Sequence, residues 1–143
     1  MAWRAFFMGM VILLLATTAA AFQCPEPSQM VKQNGKWSAP GGWVQCDYAA
    51  PTAKAKIKDF VSAIYIRFQR TDKAWLNCLY HVEDQPGTIY TMLRNTAPLV
   101  DYWNLPQCEQ RMPNYDCENP PEPGNLMCLG FEGKGVAYCA IKD

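Results

Sequence analysis

Residues 57–94, IKDFVSAIYIRFQRTDKAWLNCLYHVEDQPGTIYTMLR, constrain this chain more than any other stretch, because they read as three consecutive β-strands joined by two short turns. Ala74, Leu76, Cys78, Tyr80 and Val82 alternate along the second strand, and Phe60, Ile64, Ile66 and Phe68 are expected to share one face of the first. Arg67, Gln69, Asn77 and His81 fall on the opposite face, the pattern of a sheet with one side turned inward. Residues 69–73 and 83–87 supply the turns, since Asp tolerates turn conformations and Pro86-Gly87 presets one. The third strand, residues 88–94, is less regular. An amphipathic helix over residues 54–68 is the competing reading, because Ile57, Phe60, Val61, Ile64 and Phe68 also fit helical spacing. The β-favouring types Val61, Ile64, Tyr65, Ile66 and Phe68 weigh toward strand.

Seven cysteines follow residue 21: Cys24, Cys46, Cys78, Cys108, Cys117, Cys128 and Cys139. Ahead of them, Arg4, an apolar run over residues 6–15 and the small-residue end at Ala19-Ala20-Ala21 read as a secretory signal peptide covering residues 1–21. Its apolar run is shorter than the roughly 20 residues a membrane span needs, so no stable membrane insertion is expected after cleavage. Export and cysteine density together predict a disulfide framework, with one cysteine left over that is free or bonded to another molecule. Residues 126–131 and 136–141 flank Glu132-Gly133-Lys134-Gly135 and predict a C-terminal β-hairpin with Cys128 opposite Cys139. The two could bridge each other or staple other segments. The second option is favoured, with Cys108 and Cys117 as partners, because the Pro-rich loop that holds them has little else to fix it.

The expected fold is therefore β-rich α+β: a single disulfide-stapled domain over residues 22–143, with a central antiparallel meander and a C-terminal hairpin. Before the meander, Pro and Gly in residues 24–43 mean turns and short extended pieces. Trp37 and Trp43 straddle Pro40-Gly41-Gly42. They either pack in the core or, with Trp103, present aromatic surface to a ligand. A helical turn is the expectation for residues 95–106, and residues 109–124, with four prolines, form a loop.

Charge excludes some partners. Residues 22–143 carry 12 basic and 13 acidic side chains, which gives no global bias toward nucleic acid or anionic membrane. The distribution is uneven, with eight basic and three acidic residues over 32–73 but two basic and seven acidic over 83–122. Lys54, Lys56 and Lys58 alternate, a pattern that guards a strand edge against pairing.

No coherent catalytic set emerges, and no cofactor is implied. His81 follows Cys78 by three residues, which on a strand puts them on opposite faces. Asp101, Asp116, Glu118 and Glu122 offer carboxylates, but nothing in their spacing sets two across a cleft. With one histidine and no C-x-x-C, a zinc site is not expected. Gly133-Lys134-Gly135 lacks the frame of a phosphate-binding loop.

Cys24-Pro25-Glu26-Pro27, Asn34-Gly35 with Trp37, Gly42-Trp43, Phe60 with Ala63, Cys78-Leu79-Tyr80 and the closing run of cysteines resemble a family of small exported proteins of unknown function. That family occurs in Gram-negative bacteria, including Legionella. The resemblance implies a periplasmic or secreted protein and carries over no catalytic residue. By elimination, the expected function is a non-enzymatic binding or interaction protein whose partner is a protein or glycan. The alternatives are a small hydrolase using Asp116, Glu118 or Glu122, and an inhibitor or toxin-like protein that presents residues 109–124.

Overall fold

A computed structural model describes residues 22–67, 71–87, 90–101, 110–111, 126–130 and 133–141. Among them, eight strands form one antiparallel sheet. They are β1 (Val31–Gln33), β2 (Lys36–Ala39), β3 (Trp43–Gln45), β4 (Lys56–Arg67), β5 (Lys73–Glu83), β6 (Tyr90–Asp101), β7 (Gln110–Arg111) and β8 (Leu126–Leu129). A 3-10 turn, Pro27–Gln29, precedes β1, and a one-turn helix, α1 (Gly135–Tyr138), follows β8. The order across the sheet is β1-β2-β3-β6-β5-β4-β8-β7. The meander β4-β5-β6 is its centre, and within the 54–68 stretch residues 56–67 are strand rather than helix.

Register fixes the faces. Ala63 stands opposite Cys78, Tyr65 opposite Leu76 and Phe60 opposite Tyr80, while Cys78 stands opposite Leu93 in β6. These residues, with Ala74 and Val82, form the main core. Trp37, Ala39 and Trp43 extend that core across β2 and β3. The N-terminal segment covers it through Cys24, which is bonded to Cys78 with Cα atoms 5.7 Å apart, and through Phe22, stacked on Trp43 at 5.8 Å. From the other end come Val136, Cys139 and Ile141. Tyr80 Oη donates to Pro25 O at 2.6 Å and Tyr65 Oη to Cys139 O at 2.5 Å, so each covering segment is tied to the sheet by a buried phenol.

Several expectations need correction. Phe60 does not share a face with Ile64 and Ile66. The β4–β5 register shifts between Ile57 and Asp59 and again between Phe60 and Ser62, so each bulge inserts a residue and reverses the alternation. Phe60 therefore joins Ala63 and Tyr65 in the main core, and Ile64 and Ile66 pack on the reverse face with Met127. Phe68 lies outside the described residues. The reverse face is not simply polar either. Asn77 and Arg94 are buried there as a cross-strand pair, with Arg94 Nε donating to Asn77 Oδ1 at 2.7 Å and the guanidinium 5.5 Å from the Trp75 ring centroid.

Residues 95–101 are strand, not a helical turn: β6 continues to Asp101, its pairing with β5 interrupted by a register shift between Trp75 and Asn77. Asn95 is held by β3, opposite Trp43. At the C-terminus only the first half of the expected hairpin is a strand. Gly133 and Gly135 have φ of +81° and +68°, and Gly135 N–H donates to Gly130 O at 3.0 Å. The chain thereby coils into α1 instead of returning as a strand. Cys128 and Cys139 bond to each other, Cα atoms 5.7 Å apart, and so are not the staples for Cys108 and Cys117. Cys46 is also disulfide-bonded. Its partner lies outside the described residues, as do Cys108 and Cys117.

Candidate functional site

Besides the edge strands β1 and β7, one side of β4 is only partly paired among the described residues. β8 pairs only with residues 62–65, and Gly130 N–H donates to Val61 O at 2.9 Å. Beyond that point residues 56–60 have no backbone hydrogen-bond partner on that side among the described residues. The chain explains the early stop. Gly130 lies flat on the Phe60 ring, where a Cβ would come within 2.1 Å of Cε1, and from there the backbone leaves the sheet toward α1. Lys58 and Val61 are the two bulged positions, which bends the strand at its unpaired end.

Two cavities line up beside this edge and share Pro27. One, of about 280 Å³, is bounded by residues 58–61 together with Glu26, Gly133 and Gly135. The other, of about 510 Å³, is bounded by Lys56, Ile57, Met30, Lys32, Trp37 and Ala55. Its walls are mostly apolar and its rim is basic. Lys32 Nζ donates to the carbonyls of Thr52 and Ala53, each at 2.8 Å, and sits 5.2 Å from the Trp37 ring centroid. This anchors the 3-10 turn and β1 to the loop that leads into β4. Lys54 and Lys56 make no ion pair among the described residues, whereas Lys58 reaches Glu83 at 3.1 Å.

That loop is positioned by a second cluster. Gln45 is buried, its Oε1 accepting from Trp37 N–H at 2.9 Å and its Nε2 donating to Asp47 Oδ1 and to Ala49 O. Asp47 Oδ2 accepts from Thr91 Oγ1 at 2.8 Å and from Met92 N–H at 2.7 Å. Further along, Thr52 N–H donates to Gln85 Oε1 at 2.6 Å. Tyr48, at the loop's tip, is 92% exposed.

Of the aromatic residues singled out from sequence, Trp43 is in the core at 5% exposure, while Trp37, at 6%, also forms a wall of the larger cavity. Trp103 lies outside the described residues, as do Asp116, Glu118, Glu122, the 109–124 loop and residues 1–21. Cys78 is disulfide-bonded and carries no thiol, and His81 stands on the other face, 3.5 Å from Asp59. Among the described residues no group of three or more His, Cys, Asp or Glu is placed to hold a metal, and no helix is long and apolar enough to cross a membrane. Sequence reasoning missed Met30, Ala55 and Ile57 as site residues. The nearest signal in the sequence is the Lys54-Lys56-Lys58 run, although Lys54 precedes β4 and Lys58 is a bulged position, so the three do not alternate along one regular strand.

The family described as "Protein of unknown function (DUF3757)" matches residues 17–123, about three quarters of the chain. The chain belongs to this family. The match takes in the Cys24–Cys78 bridge, the whole meander and every residue of the larger cavity, while β8, α1 and the Cys128–Cys139 bridge lie beyond it. No curated protein and no solved structure matched.

Proposed function

We propose that this DUF3757 protein is an exported, non-enzymatic binding protein, and that its contact surface is the margin of β4 with the two cavities beside it. The observation that carries the reading is the outer backbone of residues 56–60, unpaired among the described residues, running along an apolar cavity with a basic rim. Ligand sites are typically concave and mostly apolar with a few placed polar groups, and the larger cavity has that make-up. Export is supported by the secretory signal pattern of residues 1–21 and by the disulfides, which persist in oxidising compartments. The Legionella-type resemblance supports a periplasmic or extracellular location.

The test uses protein purified from its native compartment. It should be recovered oxidised from the periplasm or medium, retain peptides or glycans from an array, and lose retention when Ile57→Asp places a charge in the larger cavity. Hydrolysis of any of those ligands, or recovery from the cytoplasm with its thiols free, would end this reading.

A further inference from the structure

We infer that the open edge of β4 accepts an extended acidic peptide of a partner protein as an added strand. This rests on the proposed binding role and names the ligand that the same margin fits. Strand addition needs a row of unsatisfied main-chain donors and acceptors with room beside it, and pockets that receive alternate side chains. Residues 56–60 provide the row, since neither β8 nor any other described backbone pairs with their outer side. The cavities follow that row in sequence order, the larger at residues 56–57 and the smaller at residues 58–61. An added strand would thus send an apolar side chain toward Ile57, Met30 and Trp37.

The charges at the larger cavity select the occupant, since Lys32 and Lys56 line it and no acidic residue does, whereas Glu26 and Asp59 line the smaller cavity beside Lys58. Lys54 and Lys56 have no ion-pair partner among the described residues, and Lys32 and Lys56 both line the larger cavity. Lysines and bulges on an edge are what keep unwanted strands from pairing, and this edge has both. Against an acidic strand the same lysines attract. A second copy of this chain, pairing edge to edge, would set lysine against lysine and is disfavoured by the same charges. A free fatty acid would use the apolar wall but leave the main-chain row unsatisfied, so the geometry favours a peptide.

The probe is a pool of fluorescein-labelled peptides of about ten residues that alternate Glu with Val, Ile or Leu, roughly the length of a long strand. Two control pools replace Glu by Lys, or carry N-methyl groups at alternate positions to remove the ladder donors. Binding to the full oxidised protein is read by anisotropy, and amide exchange reports where the peptide lies. The acidic pool should bind, both control pools should bind about tenfold or more weakly, and the amides of residues 56–60 should gain protection. The exposed pair Lys54→Glu with Lys56→Glu should reverse the preference between acidic and basic pools without disturbing the core. N-methylated peptides that bind within about twofold of the parent, or protection confined to other strands, would overturn strand addition. So would the failure of every acidic peptide to bind at about 1 mM, the weak end of measurable affinity. If the protein still captured other peptides or glycans through Ile57, the binding role would stand while this inference fell.

Discussion

Tyr80 shows how much one side chain is asked to do. Its phenol is buried against the Cys24–Cys78 bridge region and donates to Pro25 O. Burial, with the Glu26 carboxylate as a lesser contribution, pushes its pKa well above the ordinary tyrosine value of about 10. The folded state therefore holds that proton where the unfolded chain releases it. The resulting stability is fully present below the unfolded value and is lost progressively as pH rises above about 10. Tyr80→Phe should make the alkaline limb of stability against pH shallower, read from denaturant midpoints between about pH 8 and 11. An unchanged slope would mean that the phenol does not report on folding. The bulge at Val61 is the residue-scale feature that sequence could not disclose. Alternation put Phe60 with Ile64, and a single inserted position sent them to opposite faces. Ser62, next to it, keeps a buried hydroxyl with no hydrogen-bond partner among the described residues.

At the scale of elements, hydrogen bonds of Asp47 hold the loop between β3 and β4 to the sheet. Asp47 accepts from Ala49 N–H, closing the turn on itself, and from Thr91 and Met92 of β6, fastening the turn to the sheet. Asp47→Ala should destabilise the protein by about 2–3 kcal/mol, the usual cost of losing hydrogen bonds to a charged acceptor. It should also raise amide exchange over residues 46–55, and a midpoint within experimental error of the parent would remove Asp47 from this role. The elements themselves were uneven in how far they could be read. The meander was readable because β5 alternates without interruption and its turns carry Asp and Pro-Gly. The β1–β2 hairpin carried its own signal in Asn34-Gly35, whose φ values of +52° and +73° are those of a two-residue turn that only such residues adopt easily. That signal was read only as turns and short extended pieces. The C-terminal hairpin was overread: glycines permit a strand turn and a helical start equally. Here tertiary packing of Val136 and Cys139 on the main core chose the helix.

On the scale of the whole molecule, covalent bonds join both chain-proximal segments to the sheet: Cys24–Cys78 spans 54 residues and Cys128–Cys139 spans 11. Cys46 is bonded as well, to a partner outside the described residues. Non-reducing peptide mapping should return Cys24–Cys78, Cys128–Cys139 and a third bridged peptide that contains Cys46. A bridge between Cys128 and either Cys108 or Cys117 would contradict the fold. Sequence by itself determined the strand-rich class and the three central strands, because period-two patterning and turn chemistry are local properties that each segment carries alone. Which cysteines meet, which face Phe60 takes, and where β8 stops along β4 were decided only by the folded sheet. Each depends on register between segments far apart in the chain, where a single bulge reverses the facing of all that follows.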